Sequence, residues 1–398
     1  MPGQQNPNIK NEFESEYLAI KREAQQIIRA FYASQGGFKE DIAMKQSQIR
    51  ESLQGAPYRF EYVIRKYFMN VTFDYRHIPW KYVLPVFSFY LQKKLKRHYA
   101  KLVKVHLQET LERLRGLSTS GYIIIRNEDD ISQLAKIILA CMLSRYIQLY
   151  PIFGRLKKRQ MRNAYLSGYY LGLAYLISDH GLDHPQMDAE RRHALHEAIL
   201  KALVNAPIEE PEFAVIEKLR KDAHTELHAS EFPNHYAILY HLQRAQFDDA
   251  QFTFNRFDDE EVIEKLTLLA LKTHLSLFAI QMRYDEMNLL NSLNDHLLYS
   301  LLVQLDDDMR DVQKDQSENI RTFFTQPWTE SDFNPHALYL KLVERMCHIN
   351  PKLTWLYMDY FAHQEKKTQR LDEEKINTFL EKLTGIQGRD LLAQLNEH

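Results

Sequence analysis

Only 12 glycines and 13 prolines interrupt the 398 residues of this chain, about half the share these helix breakers hold in an average domain. Between them run long segments whose apolar residues recur at i, i+3, i+4 and i+7, the period of a helix rather than of a strand. The pattern confines the chain to an all-α fold of packed helices joined by short connections. A chain of 398 residues is long enough for a large core, built as one big domain or as a main domain with an appendage.

The spacing predicts a first helix within IKNEFESEYLAIKREAQQIIRAFYAS, closed by SQGGF (34–38), and helical stretches from 39 to 80 broken by GAPY and HIPW. A long helix follows from Lys81 to Arg115. GYIIIRNEDD (121–130) reads as a short strand or a buried connector, with Asn127 to Asp130 capping what comes next. Further helices are expected over 131–150, 155–179, 187–204, 211–229, 233–246, 259–283, 285–320, 335–348, 351–366 and 373–396. RTFFTQPWTESDFNPH (321–336) is the longest irregular stretch of the second half, and loops of that length often carry function.

A formal net charge of −2 and a pI of about 6.8 create no global field for nucleic acid or an anionic membrane. No nucleic-acid motif and no glycine-rich phosphate loop is present. With two cysteines, Cys141 and Cys347, and an opening MPGQQNPNIKNEFESEY that lacks a signal-peptide pattern, a reducing cytoplasm is expected. The longest apolar stretches, IILACML and YYLGLAYLI, fall short of the roughly 18 residues of a membrane span. Peripheral membrane contact stays open, as does a homodimer.

Charge is nevertheless concentrated in QLDDDMRDVQKDQSEN (304–319), which holds five aspartates between Asp306 and Asp315. At about 100° per residue, Asp307, Asp311 and Asp315 share one helix face. Three stacked carboxylates repel one another and stay ionised near neutrality only beside a cation. An acidic run alone also fits a solvated face, but the flank LLYSLLVQL is strongly apolar, and unpaired carboxylates on a buried helix would cost several kcal/mol. Upstream, a second very apolar segment, AYLISDHGLDHPQMD (174–188), ends in Asp179 and Asp183, again at i and i+4. Two such ends brought to one mouth of an antiparallel bundle suit Mg²⁺, which takes one or two carboxylates and leaves its other positions to water and phosphate oxygens. A phosphorylated substrate is the corollary of that reading.

YYLGLAYLISDHGLD (169–183) and QLDDDMRDVQKD (304–315) resemble the two aspartate motifs of the all-α class I isoprenoid synthases, a group that includes terpene cyclases, squalene and phytoene synthases and trans-prenyltransferases. RDVQKD is similar to the RDVxxD of phytoene-synthase-like enzymes. Asp307, Asp308 and Asp311 form a DDxxD, and Asp307, Asp311 and Asp315 occupy the helical positions that terpene cyclases fill with metal ligands. LKTHLSLF (271–278) resembles the Lys-Thr element of prenyl diphosphate synthases. The likeness spans about 130–365, within a synthase domain over 86–398 preceded by an N-terminal helical extension over 1–85. His180 and His184 stand where many relatives carry a second acid, and more chain than usual precedes the first motif.

The resemblance implies an antiparallel helical bundle of the class I terpenoid synthase type and a Mg²⁺-dependent terpene synthase that ionises a prenyl diphosphate. A squalene- or phytoene-like or chain-extending prenyltransferase is the alternative, and a scaffold that has kept the fold without the chemistry is the other. It further implies metal ligation by Asp179, Asp183, Asp307, Asp311 and Asp315. Arg310, Lys272, Lys314 and Arg321 would meet the diphosphate. Tyr169 and Tyr175, with Tyr165, Gly168 and Gly172 on the same face, would line the hydrocarbon pocket, the glycines leaving room for a long chain. Asp306 is expected at the surface and Asp308 has no assigned role.

Other polar clusters read as structural. His224 and His228 in HTELH lack the HExxH pattern and a third zinc ligand. His193 and His196 suit solvent or a helix neighbour. FDDA (247–250) and FDDEE (257–261) are expected at helix starts, where acids meet free amide groups. The basic runs KKLKRHYAKLVK and RLKKRQMR suit solvated helix faces.

Overall fold

A computed structural model describes residues 9–34, 109–110, 112–118, 134, 137–138, 141–142, 158–182, 188–227, 235–255, 258–281, 289–317, 322–326 and 333–349. Of these, 88% are helical and none is in a strand, so the described chain is all-α. The expected segments 39–80, 351–366 and 373–396, the connector 121–130 and the basic run 93–104 lie outside the described residues.

The helices are α1 (Ile9–Ser34), α2 (Lys158–Leu182), α3 (Ala189–Leu203), α4 (Ala214–Glu226), α5 (His235–Gln251), α6 (Asp259–Gln281), α7 (Leu289–Arg310), α8 (Val312–Ser317) and α9 (Pro335–Ile349). Residues 112–118 are helical too, as are Leu134, Ile138 and Met142. The chain divides into two compact units, the boundaries falling inside α1 after Arg29 and inside α7 after Leu301.

In the first unit α5 is the central element, packed against α6, α3 and α2. It is buried on every side, from His235 and Tyr236 to Phe247 and Asp249, as an enclosed helix must be. α2 is similarly enclosed, with Leu166 to Leu173 buried without a break. α1 seats on this core through polar bonds at its edges. Tyr17, fully buried, donates its hydroxyl to Asp248 at 2.8 Å, and Lys21 bridges Asp248 and Glu264 at 3.2 and 2.9 Å.

Local chemistry sets the helix ends. Asp188 caps α3 by accepting the Arg191 amide at 2.7 Å, and Asp258 caps α6 by accepting that of Glu261 at 3.0 Å. At the far end of α3, Asn205 has φ 59°, which asparagine tolerates. There the Ala206 amide reaches Lys201 O at 2.8 Å and the Asn205 amide reaches Ala202 O at 3.2 Å, the paired bonds of a Schellman cap.

The second unit holds the end of α7, α8 and α9. Asn334 caps α9, accepting from the amides of His336 and Ala337 at 3.0 and 3.3 Å, while Pro335 takes the first helical position, where no donor is needed. Tyr339 and Leu342 on α9 are fully buried, as is Leu305 on α7.

Candidate functional site

The second aspartate segment straddles a one-residue bend. α7 ends at Arg310, Asp311 is non-helical, and α8 begins at Val312, where one helix to 320 is expected from the pattern. Aspartate is a weak helix former and three of them precede the bend. The backbone ladder nonetheless continues: the Asp311 amide donates to Asp307 O at 3.1 Å and the Asp315 amide to Asp311 O at 2.8 Å. Asp307, Asp311 and Asp315 therefore keep their one-turn spacing. Asp307 is exposed, Asp311 half-buried and Asp315 buried, so the stripe passes from solvent into the core.

The neighbouring acids are occupied. Asp306 is buried rather than at the surface, which corrects the sequence expectation. Its carboxylate accepts from Tyr339 Oη at 3.1 Å and is paired with the Arg310 guanidinium one turn on. Carboxylates in the last turn of a helix face the negative end of its dipole, and these two donors offset that cost. Arg310, the expected diphosphate partner, thus already holds an anion. Asp308, also buried, accepts from Gln304 Nε2 at 2.7 Å.

The first aspartate segment closes α2. Asp179 and His180 stand in its last turn, at Lys158–Leu182. Their side chains, together with Asp183 and His184, lie outside the described residues, as do Arg321, His228 and the Lys314 side chain.

Further down α2, Tyr169 is packed core rather than pocket wall. Its ring lies 5.1 Å from the Arg113 guanidinium and meets Tyr170 edge-on at 5.5 Å. Burial pushes its phenol up to about 12, against the opposing pull of Arg113. Tyr165 and Tyr175 are half-buried. Gly168 and Gly172 do not leave room for a ligand chain. A Cβ on Gly168 would stand 2.6 Å from Cys141 O and Met142 Cα, and one on Gly172 2.9 Å from Ile138 Cα. The glycines admit a neighbouring helical backbone, and the space expected for a hydrocarbon is filled by it.

Lys272 has a partner that sequence reasoning did not supply. Its Nζ lies 2.6 Å from Asp249 Oδ2, and Lys265 Nζ lies 2.6 Å from Asp249 Oδ1. The lysines are seven residues apart on α6, two turns along one face. Burial raises the Asp249 carboxyl, but the charges and hydrogen bonds of Lys272 and Lys265 outweigh it and hold it below the usual carboxylate range. FDDA consequently lies in the last turns of α5, not at a helix start, and two cations compensate an acid at an unfavourable helix end. The available signal was KLTLLALK, in which two lysines flank an apolar run: a lysine on a buried face requires an acid.

Three of the described histidines, His196, His224 and His274, are absorbed in packing. His196 is fully buried, stacked on Phe247 at 3.8 Å. His224 Nε2 contacts Ala202 O at 2.9 Å. His274 lies between Ser292 Oγ at 2.9 Å and Ser300 Oγ at 3.3 Å.

Among the described residues no three His, Cys, Asp or Glu side chains converge as a metal site. Asp307, Asp311 and Asp315 are hard oxygen donors that suit Mg²⁺, which asks for only one or two carboxylates from any one element. They fit a shared site and do not form a cage by themselves. No described helix is long and apolar enough to cross a membrane. Set against protein-family models, curated proteins and solved structures, the chain matches none.

Proposed function

We propose that the protein is a Mg²⁺-dependent class I terpene synthase acting on a prenyl diphosphate. The observation that carries this reading is the unbroken run of i→i−4 bonds through Asp307, Asp311 and Asp315. It keeps three carboxylates in line at the end of an otherwise apolar helix, within the RDVQKD segment that resembles the second motif of these enzymes.

In this reading Asp307, Asp311 and Asp315 would hold Mg²⁺, and the resemblance assigns the same role to Asp179 and Asp183; Mg²⁺ when bound would supply a Lewis acid and a template for the diphosphate. Arg310, Lys314 and Arg321 would add positive charge toward that anion, and Lys272 is the further cation that the resemblance implies. The allylic C–O bond breaks heterolytically, its electron pair leaving with the diphosphate oxygen. The hydrocarbon cation then either loses a proton to give an alkene or takes up water and loses a proton to give an alcohol, the proton passing to the released diphosphate or to water. Apolar walls, with Tyr175 among them, keep other water out.

Two relationships favour a second reading, a helical scaffold without catalysis. Arg310 is neutralised by Asp306, and Lys272 shares Asp249 with Lys265. A prenyltransferase joining two allylic substrates, or adding isopentenyl diphosphate to one, is the remaining alternative and rests on RDVQKD.

One experiment separates the three. The protein is incubated with C10 to C25 and longer prenyl diphosphates, singly and with isopentenyl diphosphate, with and without Mg²⁺, and diphosphate and hydrocarbons are measured. A terpene synthase releases product from a single substrate. Condensed C–C products from two substrates identify a prenyltransferase, and no Mg²⁺-dependent diphosphate release identifies a scaffold. Full activity in the double variant Asp307→Asn, Asp311→Asn would sink the assignment of these carboxylates.

A further inference from the structure

A polar seam joins α1 to the first unit along most of its length. Lys10 meets Glu197 on α3 at 2.8 Å, and Glu14 meets Tyr240 and Arg244 on α5 at 3.0 and 3.3 Å. Further along, Lys21 and Gln25 reach Glu264 on α6 at 2.9 and 3.0 Å, and Arg29 pairs with Glu260 at 2.6 Å.

Under the N-terminal half of this helix lies His241 of α5, only 2% exposed. From α1, Phe13 meets its ring edge-on at 6.1 Å and Tyr17 stacks on it at 6.4 Å. Tyr240 of α5 stands edge-on at 6.2 Å. Glu16 Oε2 lies 3.3 Å from Nε2, so the neutral ring carries its hydrogen on Nε2 and donates it there. Nδ1 is buried and has no hydrogen-bond partner among the described residues. A second proton on the ring has to land on Nδ1, where it becomes a buried donor with no acceptor beside it. Phe13, Glu16 and Tyr17 leave with α1, and water can then reach that nitrogen.

We infer that α1 is an acid-released latch: protonation of His241 at Nδ1 lifts the helix from α5 while the rest of the first unit stays folded. The latch is independent of the terpene synthase reading. With α1 lifted the ring titrates near the usual 6.5, and with α1 seated near 4. Between these values the lifted state holds the extra proton and gains population as the pH falls.

The titratable and charged groups facing the ring are Glu16 and Tyr17 from α1 and Tyr240 and Arg244 from α5. Burial pushes both phenols up, so they stay protonated throughout. Arg244 is engaged with Glu14. Burial and the neighbouring Glu12 push the Glu16 carboxyl up, so it opposes release at the acid end, and the clean window lies above about pH 5.5.

The test is hydrogen–deuterium exchange of the full chain by mass spectrometry, corrected for the pH dependence of the chemical step. From pH 7.5 to pH 5.5 the opening of α1 peptides (9–29) should rise about tenfold, the linkage of one proton. Peptides of α5 (235–251) should stay better protected than α1 throughout. His241→Phe, which keeps an aromatic ring without the proton, should reduce the rise to less than about twofold, and His241→Gln serves if that variant fails to fold. Tyr17→Phe, which loses the bond to Asp248, should raise α1 exchange at every pH and leave the slope unchanged. A flat wild-type profile, an undiminished rise without His241, or equal protection of α1 and α5 would each overturn the latch.

Discussion

Tyr339 on α9 donates its hydroxyl to the Asp306 carboxylate on α7 at 3.1 Å, tying the end of the aspartate-bearing helix to a fully buried ring. With Arg310 on the same carboxylate, the contact fixes the turn from which Asp307 projects. Tyr339→Phe removes one donor from a buried anion and should destabilise the second unit by about 1.5–3 kcal/mol. Urea unfolding followed by far-UV circular dichroism measures this, and an unchanged midpoint would show that Arg310 alone satisfies Asp306.

The Lys265–Asp249–Lys272 arrangement predicts an acid limb. The folded pKa of Asp249 lies below the usual 3.8, so its contribution is complete above that value and is lost as the pH falls through the lower, folded one. Asp249→Asn leaves two lysines without their anion and should cost about 3–5 kcal/mol at neutral pH. It should also flatten the stability profile below about pH 4. Lys272→Met, which leaves the Lys265 pair intact, should be much milder. Unfolding midpoints from pH 2.5 to 7 distinguish the two variants.

Features written in local chemistry were legible in the sequence. The expected helices over 187–204, 259–283 and 335–348 correspond to Ala189–Leu203, Asp259–Gln281 and Pro335–Ile349. Apolar period and cap residues at Asp188, Asp258 and Asn334 operate within a few residues of chain. Features that depend on a partner far along the chain were not legible. FDDA has the composition of a helix start, and only the approach of Lys265 and Lys272 reveals why Asp249 is stable at a helix end. The chemistry of Gly168 likewise lies in what faces it, and one glycine suits a ligand or a crossing helix equally. The burial of Asp306 depends on Tyr339, which is 33 residues away. The aspartate spacing itself was local, and the backbone bonds through Asp311 preserve it.

Two glycine substitutions should move stability in opposite directions. Gly116 sits in the helical residues 112–118, and a Cβ there meets nothing within 4 Å. Gly116→Ala should therefore stabilise by about 0.5–1 kcal/mol through helix propensity alone. Gly168→Ala drives a methyl into the backbone at Cys141 and Met142, at 2.6 Å, and overpacking of that kind costs about 1–3 kcal/mol or more. Thermal unfolding of both variants provides the check, and a stabilising Gly168→Ala would mean that the helix pair separates readily.

Burial holds three histidine rings neutral well below their usual 6.5: His196 down to about 3, helped by the neighbouring Arg244 charge, and His241 and His274 each to about 4. Between pH 6.5 and those values the unfolded chain binds protons that the folded chain refuses, so stability rises with pH across this window and falls as the solution is acidified. Each ring contributes on the order of a few kcal/mol by pH 4. The unfolding midpoint should therefore drop steeply from pH 7 to pH 5, in a range where Asp249 does not yet titrate. His241→Gln removes one titrating ring whose cause is burial alone, and its profile should be shallower than that of the wild-type chain over the same interval. Equal slopes in the two proteins would show that His241 is protonated in the folded state, paired with Glu16, whose carboxylate lies 3.3 Å from its Nε2.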